Sequence, residues 1–433
     1  MPRRRGAAFA ITILFLINIL NFYDRNIAGA LVEPMRKEFH LTDTQVGLLG
    51  TAFTILYAII GVPLGRVADV WSRKRLLGGG MLIWGTLTAL AAVVTNFGGL
   101  MVSRLGVGIG EAACAPAGTS WIGDLVAPAK RARALALFML GVPVGGALSY
   151  FFSGPIAQAY GWRTAMVIAA VPAFLLLPFL FLLDEPERGA SESRGYAVAP
   201  GSMFSVLKIP TLWWIIASGA LINFNMYAIG TFMPALLGRI HGLKVGAAGI
   251  ATGILYITGG VLGGLAAGWI GDRIVHKKAN GRLLAAAAIS LIGAPFAYFG
   301  AMQPRGALIA AVVLWTVAYG TLNSYYGLVY SSIQDIVAPA QRGTTMALYF
   351  MAMYLLGGSL GPLMTGRLSD HFARQAADGG LITDAARATG LQQAILVVPV
   401  LSSLLALVLY MGSRTIAGDI ARRDAAAALV QTA

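Results

Sequence analysis

The chain has 433 residues, of which 57% are hydrophobic and only 12% are charged, and its formal net charge is +14. Soluble globular proteins carry about 25% charged residues, so this composition excludes an ordinary soluble protein and indicates an integral membrane protein. The basic residues fall in short loops with no basic-aromatic RNA or DNA module, which argues against nucleic-acid binding. A single cysteine, Cys114, and four scattered histidines give neither a disulfide nor metal-ligand spacing, so we expect no metal and no cofactor.

Apolar runs of membrane-spanning length follow one another along the whole chain. They lie at about 7–31, 44–67, 76–96, 98–121, 132–157, 162–183, 210–238, 246–270, 283–301, 306–333, 343–366 and 391–412. These runs are too long for barrel strands, and only helices or closed barrels satisfy backbone polar groups in lipid. The sequence therefore predicts an all-α membrane protein with twelve transmembrane helices. It divides into an N-terminal half at 1–183, a cytoplasmic linker at 184–209 and a C-terminal half at 210–433.

Charge and repetition set the topology. With the N-terminus in the cytoplasm, cytoplasmic segments hold 21 Lys and Arg residues and the opposite side holds nine, so both termini are predicted to be cytoplasmic. The segment Asp124–Arg131, DLVAPAKR, matches Asp335–Arg342, DIVAPAQR, at six of eight positions. Gly65–Asp69, GRVAD, likewise corresponds to Gly268–Asp272, GWIGD. Both copies of each motif face the cytoplasm, so the two halves are parallel repeats related by an axis along the membrane normal.

Two charges lie inside the first apolar run. Asp24 and Arg25 are adjacent in INILNFYDRNIAG, and the run that holds them is too long for a signal peptide, so we interpret it as a retained first helix. A charge at bilayer depth is unfavourable by about 2.5–3.5 kcal/mol on insertion scales, so these two residues are candidates for function. Adjacent residues point about 100° apart on a helix, so each needs a partner on another helix.

The fourth predicted span supplies those partners. It carries Arg104 and Glu111, which are seven residues apart and therefore share a helical face at a separation of about 10 Å. We expect Asp24 to pair with Arg104 in the outer half and Arg25 to pair with Glu111 near the middle. Breaking a buried pair leaves an uncompensated charge, whereas protonating the acid releases the arginine. The sequence therefore predicts proton coupling at these four residues. The alternatives are a static network that only holds the first span to the fourth and direct binding of an anion by Arg25.

Parallel six-helix repeats resemble the major facilitator superfamily, and GRVADVWSRKR at Gly65–Arg75 is similar to its signature loop, with Val70 and Ser72 departing from it. Within that superfamily the chain resembles the Spinster-like branch. The stretches that carry this resemblance are Asn21–Met35, Gly65–Leu77, Ser103–Gly118 and the YGWR motif at Tyr160–Arg163. The resemblance implies rocking of two halves about a midplane cavity and proton-linked export of lysolipids or sphingosine phosphate. Sugar-acid symporters of the superfamily share similar charges in spans 1 and 4, so the charged set alone does not separate the two branches.

The resemblance also implies that spans 1, 4, 7 and 10 line the cavity. Predicted spans 7 to 12 contain no charged residue away from their ends, but they do contain asparagines and tyrosines. The candidate substrate-binding residues are Asn21, Arg25, Asn223, Tyr227, Asn323 and Tyr326. A cavity with one charged wall and one neutral, aromatic wall suits an amphipathic substrate. For each asparagine or tyrosine, helix packing is the alternative role.

A third set of residues lies at the predicted cytoplasmic ends of the spans. A carboxylate there can neutralise the positive N-terminus of a neighbouring helix, and losing that contact would open the cytoplasmic side. The candidate gate residues are Asp69, Arg73, Asp124, Arg131, Asp272, Asp335 and Arg342. Solvation in loops is the alternative for these side chains.

Four further features of the sequence give local expectations. The glycines of GVGIG, Gly106–Gly110, follow no strand and lie inside a span, so they are not a dinucleotide fingerprint; we expect them to let the first span approach the fourth. GVPVGG at Gly141–Gly146 indicates either tight packing or a bend. Glu33 is expected to be solvated at the outer end of the first span. The external segment at 371–389 is polar and rich in Ala and Gly, which fits either a partly helical or a mobile loop.

The sequence thus favours a monomeric, proton-coupled secondary transporter of lysolipid-like or other amphipathic molecules in a bacterial inner membrane, in contact with membrane lipids. The alternative is a proton-coupled symporter of small organic or sugar acids, in which Arg25 holds the carboxylate. A non-transporting membrane lipid receptor is disfavoured because the chain has no large soluble signalling domain. An enzyme is disfavoured because the spans hold no set of nucleophile, base and orienting residue.

Overall fold

The computed structural model describes residues 4–188, 190, 203–275, 278–338 and 341–432. Within these ranges the long elements are α-helices, joined by short 3₁₀ turns and one π-helical segment at Met353–Gly358. The helices are α1 Arg4–Ala30, α2 Val32–Phe39, α3 Asp43–Val70, α4 Arg73–Leu90, α5 Phe97–Glu111, α6 Cys114–Leu125, α7 Pro128–Met139, α8 Gly141–Tyr160, α9 Trp162–Phe181, α10 Pro210–His241, α11 Val245–Val275, α12 Gly281–Ala301, α13 Leu308–Ile336, α14 Arg342–Ala352, α15 Leu360–Ala376, α16 Asp384–Ile395 and α17 Val397–Thr432.

In the described part of the chain, eleven helical segments are long and apolar enough to cross a membrane. This result confirms the predicted all-α membrane fold. The predicted fourth span is instead divided into α5, which ends at Glu111, and α6, which begins at Cys114. The amide of Ala113 donates to the carbonyl of Gly110, three residues back, so a single tight turn separates the two helices. Glu111 is therefore the last residue of α5.

The chain packs into two compact units. The first unit comprises Met1–Gly195 together with Gly230–Gly253, and the second comprises Tyr196–Ile229 together with Ile254–Ala433. The first unit thus contains α1 to α9, the C-terminal end of α10 and the beginning of α11.

Large side chains fill the middle of the first unit. Trp84, Trp121 and Phe138 are each at most 1% exposed and pack with Leu14 and Ile17 of α1. Lipid tails are as apolar as these side chains, so close van der Waals packing, rather than removal from water, holds such helices together. Small residues at the helix contacts are therefore as important as large ones.

The glycines of α5 approach α3 and α4. A Cβ atom at Gly108 would lie 2.7 Å from the carbonyl oxygen of Phe53, and one at Gly110 would lie 2.8 Å from the carbonyl oxygen of Gly80. The expectation that GVGIG lets the first span approach the fourth is therefore wrong, since these glycines face other helices. The close approach to α1 comes instead from Gly145 of α8, where a Cβ atom would lie 2.9 Å from Cβ of Phe22.

Helices of the second unit also pack closely at glycines. A Cβ atom at Gly259 of α11 would lie 2.7 Å from the carbonyl oxygen of Thr316, and Ser324 Oγ donates to the carbonyl of Gly263 at 2.9 Å. Close contact between α11 and α13 thus depends on glycine and on a serine hydrogen bond. The π-helical segment at Met353–Gly358 interrupts the helix that α14 begins and α15 continues.

The polar segment at 371–389 is mostly helical. α15 continues through it to Ala376, and α16 begins at Asp384, where Thr383 Oγ1 accepts a hydrogen bond from the amide of Ala386 at 3.1 Å. A threonine in this position is a favourable N-cap. Only the residues between the two helices form a loop.

Candidate functional site

The charged residues of α1 and α5 meet inside the first unit. Arg25 Nε donates to Glu111 Oε2 at 3.3 Å, and the two side chains are 6% and 0% exposed. The predicted contact between Arg25 and Glu111 is therefore present. Its position at the end of α5 puts the Glu111 carboxylate beside the turn that divides the fourth span.

Aromatic rings surround the Arg25 guanidinium. Its Cζ lies 4.4 Å from the ring centre of Phe22, 5.3 Å from that of Phe53 and 4.2 Å from that of Tyr57. A cation over an aromatic face is attracted to it, and the attraction strengthens when water is excluded. The rings thus hold the guanidinium in place while leaving its charge to be balanced by a carboxylate.

Asn21 joins the same network from one turn earlier in α1. Its side-chain oxygen accepts from Arg25 Nη2 at 3.5 Å, and its amide nitrogen donates to the backbone carbonyl of Glu111 at 3.5 Å. Asn21 is only 2% exposed. The structure therefore places this candidate substrate-binding residue between the two members of the ion pair.

Asp24 and Arg104 do not form the direct ion pair that the sequence predicts. Thr88 of α4 lies between them: its hydroxyl donates to Asp24 Oδ2 at 2.5 Å and accepts from Arg104 Nη2 at 3.5 Å. Asp24 and Arg104 are each 4% exposed, and Thr88 is fully buried. The prediction was wrong here because it considered only the two charged helices, whereas α4 contributes a neutral side chain to the same layer.

Asp24 and Glu111 each have one carboxyl oxygen that lacks a partner among the described residues. Asp24 Oδ1 and Glu111 Oε1 are both buried and accept no hydrogen bond there. A buried acceptor left unsatisfied is unfavourable by about 1–3 kcal/mol, and by more when it is charged. Within the described part of the network, these two oxygens are therefore the carboxyl atoms whose burial is not offset by a hydrogen bond.

The asparagine candidates of the second unit are engaged in helix contacts. Asn223 Nδ2 donates to the carbonyl of Gly219 in its own helix at 3.1 Å, and Asn323 Nδ2 donates to the carbonyl of Gly260 in α11 at 2.9 Å. Asn223 is 2% exposed. These bonds match the packing alternative, and the substrate-binding role of both residues remains a prediction.

The tyrosine candidates of the second unit belong to two groups of rings. Tyr326 contacts Tyr325 and Tyr330 edge to face, with ring centres 5.6 Å apart in each case. Tyr227 contacts Tyr354 of the π-helical segment at 6.1 Å in the same geometry. Tyr227 and Tyr326 are both partly exposed as residues, and their substrate-binding role remains a prediction.

Arg73 anchors the predicted cytoplasmic side of the first unit. Its guanidinium is 1% exposed and forms ion pairs with Asp124 and, at 3.2 Å, with Glu185. Glu185 also accepts from the Ser72 hydroxyl at 2.7 Å and from the amides of Arg73 at 2.8 Å and Lys74 at 3.2 Å. Burial alone raises the pKa of Glu185, but these hydrogen bonds outweigh it and hold that pKa below its usual range. The predicted linker thus supplies an anion that caps the N-terminus of α4.

The second unit repeats this ion pair. Arg282 Nη1 of α12 contacts Asp335 Oδ2 at 2.5 Å, and Arg282 and Asp335 correspond in the repeat to Arg73 and Asp124. The sequence identified three of these four residues and missed Arg282. The signal was available, because Arg282 lies 209 residues after Arg73 and the DLVAPAKR repeat has an offset of 211.

The side chains of three of the remaining gate candidates lie in the described part of the structure. The Asp69 side chain is exposed and makes no hydrogen bond or ion pair among the described residues. Arg342 is exposed at the first turn of α14, while Arg131 is partly buried in α7. The side chain of Asp272 lies outside the described residues. The gating role of this set remains a prediction.

A second ionic cluster lies at the opposite end of the first unit. Arg239 of α10 contacts Asp43 at 2.6 Å and Glu33 at 2.5 Å, and the three side chains are at most 15% exposed. Glu33 also pairs with Arg36 at 3.1 Å. The expectation that Glu33 is solvated is therefore wrong, because two arginines neutralise its charge inside the unit.

The YGWR motif forms a separate contact near that end. Gly161 has a φ angle of +85°, which favours glycine, and it turns the chain from α8 into α9. Arg163 and Trp162 then donate to the Glu38 carboxylate at 2.5 and 2.6 Å. The hydrogen bonds from Arg163 and Trp162 hold the pKa of Glu38 below its usual range.

The amino-acid sequence is similar to those of known membrane transporters. Residues 14–362 match the sequence profile of the Major Facilitator Superfamily. The chain belongs to the Major Facilitator Superfamily. An MFS-type efflux pump of Mycolicibacterium smegmatis is 32% identical over 377 residues, which cover 85% of each protein. Protein spinster homolog 1 of Xenopus laevis is 28% identical over 393 residues, which cover 86% of this chain and 74% of that protein.

A comparison with solved structures supports the same family. A crystal structure of a bacterial homologue of the human lysosomal transporter Spinster, in an inward-facing and occupied conformation, matches with a TM-score of 0.86 and 26% sequence identity. The match covers 96% of this chain and 98% of that one. The predicted Spinster-like branch is thereby confirmed, and the chain is an integral, multi-pass membrane transporter of the kind that moves small molecules.

Proposed function

We propose that this chain is a proton-coupled secondary transporter that moves lysolipid-like or other amphipathic molecules by alternating access. It would act as a monomer in the bacterial inner membrane. The observation that carries the proposal is the buried network of Asp24, Arg25, Arg104 and Glu111, in which one oxygen of each carboxyl lacks a partner among the described residues.

Proton binding supplies a switch in this network. While Glu111 is charged, it holds the Arg25 guanidinium, and the aromatic rings keep that guanidinium from moving far. Protonation removes the charge that Arg25 opposes, so the guanidinium becomes available to another anion. Because a buried ion pair that loses one charge is destabilised by several kcal/mol, the two protonation states favour different packings of α1 against α5.

The candidate substrate surfaces support an amphipathic molecule. The first unit offers a guanidinium beside the rings of Phe22, Phe53 and Tyr57, which suits a phosphate or carboxylate attached to an apolar group. The second unit offers the partly exposed residues Tyr227 and Tyr326, whose predicted spans carry no charge away from their ends. The relative described as an MFS-type efflux pump supports export as the direction.

A symporter of small organic or sugar acids is the second candidate. The observation in its favour is that Arg25 already holds a carboxylate, that of Glu111, in the structure. A substrate carboxylate could replace it when Glu111 is protonated. The aromatic rings around Arg25 favour the amphipathic substrate over this one, since they offer apolar surface that a sugar acid does not use.

Flux into proteoliposomes tests the proposal. A labelled lysolipid and a labelled sugar acid are compared with and without a pH gradient, in the wild type and in Asp24→Asn. We expect gradient-driven lysolipid movement that is lost in Asp24→Asn. Gradient-driven sugar-acid uptake would favour the second candidate, and lysolipid flux that does not respond to the gradient would contradict proton coupling.

A further inference from the structure

The hydroxyl of Thr88 makes an unusual hydrogen bond. Buried threonines in helices commonly donate to the carbonyl four residues earlier, and Thr54 of α3 does so with Gly50 at 2.8 Å. Thr252 of α11 does the same with Ala248, also at 2.8 Å. Thr88 instead donates across the helix interface to Asp24 Oδ2 at 2.5 Å. Its hydrogen is thus committed to the carboxylate on α1.

The same oxygen receives a hydrogen bond from α5. Arg104 Nη2 donates to Thr88 Oγ1 at 3.5 Å, so the three groups form one chain from guanidinium to hydroxyl to carboxylate. A hydroxyl has one hydrogen to donate and two lone pairs to accept, which allows this arrangement. A neighbouring contact fixes α5 on α4 at this level, because Ser103 Oγ donates to the carbonyl of Leu87 at 2.9 Å.

We propose that Thr88 is a positioning residue that links proton binding at Asp24 to the position of Arg104. This inference rests on the proposed function, because it assigns Asp24 a proton. With Asp24 charged, the hydroxyl orients toward it and presents its lone pairs to Arg104. With Asp24 protonated, the new O–H competes to donate to the same hydroxyl oxygen, and the negative charge that attracts Arg104 is gone. Arg104 is then released from the layer that joins α1, α4 and α5.

The other groups near Asp24 do not replace this link. On α5 the charged groups facing Asp24 are Arg104 and Glu111. On α1 the titratable group facing Asp24 is Tyr23, and its hydroxyl is engaged with Ser153 of α8 at 2.8 Å. Within the described part of the chain, the Thr88 side chain hydrogen-bonds to both Asp24 and Arg104.

Isosteric substitution of Thr88 isolates the contribution of its hydroxyl group. Thr88→Val keeps the shape of the side chain and removes its hydrogen bonds, Thr88→Ser keeps the hydroxyl, and Thr54→Val is the matched control for loss of a buried hydroxyl. The readout is infrared difference spectroscopy of the purified protein as a function of pH. The carbonyl stretch of protonated Asp24 is assigned by its disappearance in Asp24→Asn. No substrate is needed, so the result does not depend on whether transport is proton-coupled.

We expect Thr88→Val to move the titration midpoint of the Asp24 band upward by about one pH unit, because it removes a hydrogen bond that stabilises the carboxylate. Thr88→Ser and Thr54→Val should leave the midpoint unchanged. In proteoliposomes the pH dependence of flux should shift in the same direction in Thr88→Val alone. An unchanged midpoint in Thr88→Val, or an equal shift in Thr54→Val, would overturn the inference. A shifted band combined with flux that ignores the pH gradient would instead contradict the proposed function.

Discussion

Replacing Glu185 by glutamine removes the anion that caps α4 while preserving the size of the side chain. In the structure both carboxylate oxygens are used: Oε2 accepts from Ser72 and the amide of Lys74, and Oε1 accepts from the amide and the guanidinium of Arg73. Glutamine has one acceptor oxygen and no charge. It therefore loses about half of these bonds and the favourable interaction with the helix N-terminus.

We estimate the loss of stability at about 2 kcal/mol at neutral pH, from the weakened charge-assisted hydrogen bonds and the helix dipole. The pH dependence follows from the sign of the shift. The folded state holds the pKa of Glu185 below its usual range, so its contribution is present above the unfolded value of about 4.3 and is lost as the pH falls through the folded value. The wild type and Glu185→Gln should therefore differ at pH 7 and converge in acid.

Thermal unfolding of the detergent-solubilised protein, followed across this pH range, checks the estimate. Glu187→Gln is the control, because it makes the same chemical change two residues away on an exposed side chain. We expect a lower unfolding midpoint only in Glu185→Gln. Equal midpoints for the wild type and Glu185→Gln at pH 7, or equal losses in both variants, would refute the argument that Glu185 stabilises α4.

Two further pairs of substitutions test the ion pairs and the helix packing of the first unit. Arg239→Ala removes the arginine that pairs with the Asp43 carboxylate, which is only 2% exposed, and should destabilise the protein by about 3–5 kcal/mol. Arg163→Ala breaks an ion pair with Glu38 whose side chains are 37% and 42% exposed. It should lower the free energy of unfolding by at most about 1 kcal/mol. Similar unfolding midpoints for the two variants would contradict this ranking. Gly108→Ala forces a Cβ atom against α3 and should lower the midpoint in the same assay, whereas Gly79→Ala, with nothing within 4 Å, should leave it unchanged or raise it. A harmless Gly108→Ala would contradict close packing of α5 on α3.

The sequence predicted those features that depend on spacing along one helix or on repetition. Hydropathy predicted the helical spans, and the seven-residue separation of Arg104 and Glu111 predicted that Glu111 would lie at the depth of Arg25. The DLVAPAKR repeat predicted that Asp124 and Asp335 would occupy equivalent positions, and both carboxylates pair with an arginine at the start of a helix. Such features follow from helix geometry without knowledge of neighbours.

The sequence did not predict the partners that come from a third helix or from a loop. Thr88 is neutral and lies in a span without internal charge, so nothing in its local sequence distinguishes it from a packing residue. Glu185 lies in a polar stretch that looks like a solvated linker, and Arg239 lies near the end of α10. Their roles depend on which helices are neighbours, and hydropathy carries no information about that.

The most direct experiment separates proton-driven transport of the substrate from exchange of substrate across the membrane. Glu111→Gln keeps the shape of the side chain that holds Arg25 and removes its ability to gain and lose a proton. In proteoliposomes loaded with lysolipid, we expect this variant to exchange labelled for unlabelled substrate while failing to move it in response to a pH gradient. Gradient-driven movement at the wild-type rate in both Glu111→Gln and Asp24→Asn would contradict the claim that these buried carboxyl groups couple transport to protons.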